Sequence, residues 1–404
     1  MAVGQCDFPQ MPEIAGIELG TTCAGIKQTV RDDVLVIQLA EQATCAGVFT
    51  QNAFCAAPVH VAKANLAHAP RWLLINSGNA NAGTGAQGMQ DALSTCASLA
   101  EVADGLANQV LPFSTGVIGQ SLPVAKIQAG LAAAVQNLST DNWPKAAQAI
   151  MTTDTFPKGA SQVINIDGNT ITINGISKGA GMIQPNMATM LGFIATDANI
   201  SQPLLQACLS KAVDQSFNRI TVDGDTSTND ACILMASGKS LVPELTEGSD
   251  NYQLFADAVM SVCKRLAELI IRDGEGATKL IRIVVEQALS EEEAVQVGKT
   301  IAHSPLVKTA FFASDPNWGR ILAAVGRAGV ENMDLDKIEI YLDDVCIVKN
   351  GGRAETYTEE AGQQVMNNAE ITVTVKLGRA NASQEVLTCD FSYDYVRINA
   401  EYRT

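Results

Sequence analysis

Between residues 178 and 198 the chain reads KGAGMIQPNMATMLGFIATDA, where small residues and Pro185 lead through Asn186, Met187 and Ala188 to Thr189 and an apolar run. The pattern predicts a turn-forming approach that delivers a hydroxyl to the mouth of a buried strand over 189–196. A threonine hydroxyl is a poor nucleophile without a base beside it. An N-terminal threonine carries its own base, an α-amine that titrates at about 7.7 to 8.0. Thr189 gains that amine only if the Ala188-Thr189 bond is cut, and the small side chain of Ala188 leaves room for hydroxyl attack there. Local chemistry alone favours a structural threonine opening a strand after a Gly/Pro loop, the commoner fate of an Ala-Thr pair.

Composition narrows the choice of base. Only His60, His68 and His303 occur, outside the motif-rich stretches, so a Ser-His-Asp or Cys-His arrangement has little material. The ten cysteines contain no C-x-x-C and no zinc-ligand spacing with histidine, and are expected as buried thiols in a reducing cytoplasm. With 27 basic and 43 acidic residues the net charge is −16, which argues against nucleic acid and anionic membrane as partners. No uninterrupted apolar run is long enough to span a membrane, and the start MAVGQCDFPQMPEIAG has no basic n-region or apolar h-region, so a soluble cytoplasmic protein is expected. At 404 residues two or three lobes are expected, since single cores rarely exceed about 250 to 300 residues.

The elements that must position the threonine read as follows. Short apolar runs predict strands at 33–40, 47–52 and 71–76, followed by a Gly/Asn-rich loop over 76–88 and a helix over 89–106. A strand at 110–113 runs into Ser114-Thr115-Gly116, read as a turn whose glycine permits unusual φ and frees N–H groups that could hold an oxyanion. Amphipathic helices follow at 123–138 and 143–151, the second ending in Thr152-Thr153-Asp154-Thr155. Residues 162–166 and 170–173 alternate around Asp167-Gly168-Asn169, a hairpin signature. A helix at 203–216 leads to the polar loop 223–230, whose three aspartates lack the spacing of a calcium loop and read as loop caps, so no metal is expected. A long helix over 252–271 ends before the Gly274-Glu275-Gly276 turn and a strand at 278–285. Helices at 291–303 and 320–327, joined by a loop, and strands at 337–342, 345–349, 371–377 and 389–395 predict a separate C-terminal α/β lobe over 281–404, beside a core over 1–280.

The chain resembles the glutamate N-acetyltransferase / ornithine acetyltransferase family of arginine biosynthesis. The resemblance rests on NMATML, GVFTQNAFCAAPV at 47–59, NSGNANAGTG at 76–85, STGVIG at 114–119, TTDT at 152–155, DGDTSTND at 223–230, GEGATKLI at 274–281, SDPNWGRILAAVGRAG at 314–329 and the terminal VRINAEYRT. It implies an α/β fold, a helix/sheet/sheet/helix sandwich core with a C-terminal α/β lobe. It also implies cleavage between Ala188 and Thr189 into an alpha chain 1–188 and a beta chain 189–404, two of each in the assembly.

The implied reaction moves an acetyl group from N2-acetyl-L-ornithine to L-glutamate through an acetyl-Thr189 enzyme. The resemblance maps the oxyanion pair onto the Thr115 hydroxyl and the Gly116 N–H, and substrate contacts onto Thr153 (chosen over Thr155), Lys178, Thr189, Glu275, Asn399 and Thr404. Lys178 suits a substrate α-carboxylate and Glu275 the δ-ammonium of ornithine. No cofactor is implied, and acetyl-CoA stays open as a second acetyl donor. The alternatives are a related N-terminal-nucleophile aminopeptidase or amidase, with water as acceptor, and a silent binding protein, against which the intact site set argues. The sequence departs from the family pattern at Gln184 and Glu401, neither a proposed catalytic position.

Overall fold

The computed structural model describes residues 3–4, 7–27, 29–184 and 190–401. Ala188, Thr189 and Thr404 lie outside the described residues.

The first two-thirds of the chain alternates strands and helices: β1 (Ile17–Thr22), β2 (Val34–Leu39), β3 (Thr44–Phe49), α1 (Ala57–Asn65), β4 (Trp72–Asn79), α2 (Gly85–Val102), β5 (Val110–Val117), α3 (Val124–Gln136), α4 (Trp143–Ala149), β6 (Lys158–Ile166), β7 (Asn169–Lys178), β8 (Leu191–Thr196), α5 (Gln202–Asp214), β9 (Ile220–Thr221), β10 (Ala231–Ala236) and α6 (Asp250–Arg272). They build a four-stranded sheet, β1-β2-β4-β5, and a five-stranded sheet, β3-β10-β8-β7-β6. The apolar runs do not alternate with polar residues because both faces of each sheet are covered. In β2, Leu35, Ile37 and Leu39 point between the sheets, while Val34 and Val36 point outward beneath α2 and α3. In β10, Ile233 and Met235 face inward, and Cys232 and Leu234 face α5 and α6. The result is a helix/sheet/sheet/helix sandwich.

Local chemistry explains the joints. Asp167 (φ 53°) and Gly168 (φ 85°) make a two-residue primed turn between β6 and β7, whose twist matches the strands it joins. Helix α6 buries Phe255, Val259, Val262, Leu266 and Ile270 at three- and four-residue intervals, and the Ser249 hydroxyl caps it by accepting from the Tyr252 N–H at 3.1 Å.

The remainder adds β11 (Leu280–Ala288), α7 (Glu291–Ala302), α8 (Pro305–Phe312), α9 (Trp318–Gly326), β12 (Glu339–Leu342), β13 (Val345–Lys349), β14 (Gly352–Arg353), α10 (Glu359–Met366), β15 (Glu370–Lys376), β16 (Ala382–Cys389) and α11 (Tyr393–Ala400). Their sheet runs β14-β13-β12-β15-β11-β16-β9, so its last strand comes from residues 220–221. Leu280, Leu387 and Cys389 complete the core beneath α5 and α6.

Several sequence expectations are corrected. The 76–88 loop is shorter, since β4 runs to Asn79 and α2 starts at Gly85. The loop between the helices at 291–303 and 320–327 contains α8, signalled by Ser304 capping the Val307 N–H and by Pro305 at the first helical position. The strand expected at 389–395 is instead the end of β16 followed by α11. The aromatics at 391, 393 and 395 mimic strand alternation, but Phe391 and Tyr395 stack at 4.6 Å across a helical interval, and Tyr393 is exposed. The cysteines of the described residues are free thiols and mostly buried, except that Cys23 is exposed. No helix among the described residues is long and apolar enough to cross a membrane.

Candidate active site

Three strands of the five-stranded sheet end or begin at one edge. Register places Lys178, the last residue of β7, and Ala231, the first of β10, on either side of Leu191, the first of β8. The Ala231 N–H donates to the Met190 carbonyl at 3.0 Å. Met190 and Leu191 therefore enter the sheet between Lys178 and Ala231. Across the interlayer, Phe113 of β5 packs edge-to-face on Phe193 of β8, ring centroids 5.2 Å apart. That contact sits two residues before Thr115 and two after Leu191, so it locks the end of β5 over the mouth of β8. The Asn229 amide adds a polar tie, donating to the carbonyls of Ser114 at 2.9 Å and Ala80 at 2.5 Å.

Ser114-Thr115-Gly116 is no free turn, as the sequence suggested, but the continuation of β5, parallel to Ser77 and Gly78 of β4 until the register breaks at Asn79. Gly116 has φ +134°, and a Cβ there would stand 2.3 Å from the Gly78 carbonyl carbon. Only glycine fits, and its backbone bends into a cavity of about 270 Å³. Thr115 and Lys178 line the same cavity, and Lys178 Nζ donates to Thr115 Oγ1 at 3.0 Å. A hydroxyl that accepts from an ammonium keeps its own proton free to donate elsewhere.

Opposite stands Glu275. It occupies the Gly274-Glu275-Gly276 turn that ends α6, its N–H donates to the Ala180 carbonyl at 2.8 Å, and its side chain is buried at the cavity wall. Asn399, one turn along α11 from Tyr395, donates to Glu275 Oε2 at 2.8 Å, and Thr153 also hydrogen-bonds the carboxylate. Burial raises the Glu275 carboxyl above its usual range, against those two hydrogen bonds. Gly181 makes room: a Cβ there would lie 2.3 Å from Glu275 Oε2. Thr152 and Thr153 both line the cavity, whereas Thr155 turns away and donates through Oγ1 to Asp273.

Behind this wall lies a closed ionic cluster that sequence reasoning did not single out. Lys158 is fully buried, and its Nζ contacts Asp154 and Asp273, each at 2.6 Å. Burial opposes the Asp154 charge, but Lys158, Lys178 and donation from the Gly179 N–H outweigh it and hold the carboxyl well below the ordinary range. Burial pushes the Lys178 ammonium down despite Asp154. Asp230, also missed, is buried at the cavity wall with Oδ2 unpartnered among the described residues, and burial raises its carboxyl well above the usual range. The only sequence signal for it was its place in DGDTSTND. At the other end of that loop Asp223 caps the N–H groups of Met182 (2.7 Å) and Ile183 (2.9 Å).

The structure thus brings Thr115, Gly116, Thr153, Lys178, Glu275 and Asn399 around one cavity at the entry to β8. Residues 18–404 match the model of the ArgJ family. The chain belongs to that family. Two relatives carry the name arginine biosynthesis bifunctional protein ArgJ. The one from Methylococcus capsulatus is 62% identical, with 97% of this chain and 96% of the relative covered. The one from Pseudomonas fluorescens is 56% identical, with both chains covered in full. A solved ArgJ structure from Bacillus halodurans is 42% identical, has a TM-score of 0.51, and is covered completely by 53% of this chain. ArgJ enzymes act on small molecules, and the cavity is of that size.

Proposed function

We propose that this ArgJ-family chain is a glutamate N-acetyltransferase that takes the acetyl group of N2-acetyl-L-ornithine onto Thr189 and passes it to L-glutamate. The observation that carries the reading is the convergence of Thr115, Gly116, Lys178 and Glu275 on the mouth of β8, where Met190 and Leu191 line the same cavity and position 189 is the preceding residue of the chain. The Thr189 hydroxyl attacks the acetyl carbonyl, its proton passing to the threonine's own α-amine. The carbonyl electron pair moves onto oxygen, held by the Thr115 hydroxyl and the Gly116 N–H. Collapse breaks the C–N bond, the ammonium returns its proton to the departing ornithine amine, and an acetyl ester remains. The glutamate amine then reverses these steps. Glu275, with Asn399, receives the δ-ammonium of ornithine, and Lys178 the α-carboxylate. Thr153 borders the side-chain end, and Thr404 contributes a further substrate contact. The sequence balances without a metal or cofactor.

The amine requires cleavage between Ala188 and Thr189, giving an alpha chain 1–188 and a beta chain 189–404. In the order β3-β10-β8-β7-β6 strands from both fragments interleave, so the pieces cannot part without opening the sheet. We assign the pair to an assembly of two alpha and two beta chains in the cytoplasm, where free thiols such as Cys45 and Cys232 persist. Residues 1–280 serve as the catalytic core and 281–404 as the C-terminal lobe.

Two fragments on a denaturing gel, with a new N-terminus at Thr189, and an acetyl adduct on the second fragment after acetylornithine alone are the expected results. Parallel initial-rate lines should follow, and intersecting lines would replace the covalent scheme by a ternary complex. Acetyl-CoA assayed beside acetylornithine decides the second donor implied by the relatives' bifunctional name.

A further inference from the structure

A second cavity, of about 310 Å³, adjoins the first and shares with it Gly116, Val117, Thr152 and Thr153. Two cations from the loop between β1 and β2 line it, Lys27 and Arg31. Lys27 Nζ donates to the carbonyls of Met151 at 2.7 Å and Ala149 at 3.3 Å. Arg31 Nη2 donates to those of Thr152 at 3.1 Å and Met151 at 3.3 Å, and its Nε is buried without a partner among the described residues. Among the described residues neither cation has a carboxylate within ion-pairing distance. Burial and the Arg31 charge push the Lys27 ammonium down to about 7, against Asp33 and Asp154 and with a further contribution from Lys178. Among the described residues no carboxylate lines this cavity, in a chain whose net charge is −16.

The cavity that both cations line also reaches the reacting centre, through Gly116. The Lys27 stem lies against Gly78, where a Cβ would be 3.1 Å from Lys27 Cγ, and Gly78 lies against Gly116. Only one residue of backbone separates the Lys27 stem from the oxyanion pair.

Acetyl transfer from ornithine to glutamate, on which this inference rests, requires one acyl-enzyme to meet amino acids of opposite side-chain charge. Glu275 suits an ammonium, and a second carboxylate placed beside it would meet a like charge. We propose that Lys27 and Arg31 form the subsite for the side-chain carboxylate of the dicarboxylic amino-acid acceptor. Its carboxylate stands about 5 Å from its own amine, the reach of a neighbouring subsite. The phosphates of a nucleotide thioester lie well over about 10 Å from the thioester carbonyl, too far to meet cations packed against the oxyanion strand. The guanidinium offers a planar fork for a carboxylate, and the lysine a point charge.

The test compares glutamate with glutamine as acceptors, acetylornithine being the donor, in the unsubstituted enzyme, Lys27→Met, Arg31→Gln and Arg31→Lys. The ratio of the two kcat/KM values comes from one sample, so partial misfolding leaves it unmoved. We expect the glutamate preference to fall at least about tenfold in Lys27→Met and Arg31→Gln, through KM for glutamate, while KM for acetylornithine moves less than about twofold. Arg31→Lys should keep most of the preference. An unchanged ratio in both neutral variants overturns the subsite, as does an equal rise in both KM values. A stoichiometric release of ornithine by the unsubstituted enzyme without acceptor separates the two failures. If it is absent, the transfer reaction itself falls; if it is present beside an unchanged ratio, only the subsite falls.

Discussion

The Lys158 cluster and the Lys178 cavity wall share Asp154 as a neighbour, yet they treat charge in opposite ways. Lys158 is sealed from solvent and meets two carboxylates at 2.6 Å, whose remaining oxygens accept from backbone N–H groups and from Thr155. Lys178 opens on the cavity, touches only a hydroxyl among side chains of the described residues, and faces Glu275 and Asp230 from the other walls. A buried charge that has found all its partners serves the fold, whereas convergent charges left without counter-ions prepare a place for a ligand's charges. Here the first kind holds the second: Asp154 accepts from Lys158 and from the Gly179 N–H, beside Lys178.

The largest effect expected lies on the open side. Thr189→Ala should remain a single chain and lose at least about 10⁴-fold in turnover, since it lacks both nucleophile and base. Intact mass and acetyl-transfer rates measure both. On the closed side, Lys158→Met leaves two buried carboxylates unpaired and should cost about 3 to 5 kcal/mol in urea unfolding. Lys178→Met should cost under about 1 kcal/mol of stability while impairing transfer. If the two lysine variants unfold at the same urea concentration, the distinction between the clusters collapses.

Thr115→Ala sharpens the comparison within the open site. Its hydroxyl is aimed by Lys178 and used mainly in the transition state, so kcat should fall by the equivalent of about 2.7 to 4 kcal/mol with little change in KM. Gly181→Ala acts more gently: the added methyl displaces the Glu275 carboxylate it would overlap, and KM for acetylornithine should rise about tenfold. A KM within twofold of the original would remove Glu275 from the substrate contacts.

The sequence made some of this plain and hid the rest for physical reasons. Apolar runs such as VLVIQL and WLLIN reveal strands covered on both faces, and Asp167-Gly168 reveals its hairpin. The run Ser114-Thr115-Gly116 read as a turn because the strand that carries it is bent by pairing with another glycine strand, a contact between residues nearly 40 apart in the chain. Strand β16 was missed because its first half, Ala-Ser-Gln-Glu, is polar although it pairs with β11. Asn399 could be placed beside Glu275 by resemblance alone, since its route there is a terminal helix where aromatic alternation suggested a strand. The buried Lys158 pairs and Asp230 depend on burial, which no local pattern records.

Asp230, with Oδ2 unpartnered among the described residues, gives the smallest and most specific test of an incompletely paired buried acid. Burial raises its carboxyl well above the usual range, in opposition to a hydrogen bond from Ser227 and the Lys178 charge. Over the pH interval between its unfolded and folded values, the folded protein therefore holds a proton that the unfolded chain has released. Stability contributed by that proton is complete below the unfolded value and is lost as pH rises through the folded one. A single group can contribute at most about 1.4 kcal/mol per pH unit to the slope. Asp230→Asn keeps the shape, removes the titration, and should flatten the fall in urea stability between pH 4 and 8 relative to the parent. The variant should accordingly gain on the parent as pH rises. Parallel curves for the two proteins would mean that Asp230 is already satisfied, by a solvent molecule or by the chain around position 189, and that the cavity wall is not poised with an uncompensated acid.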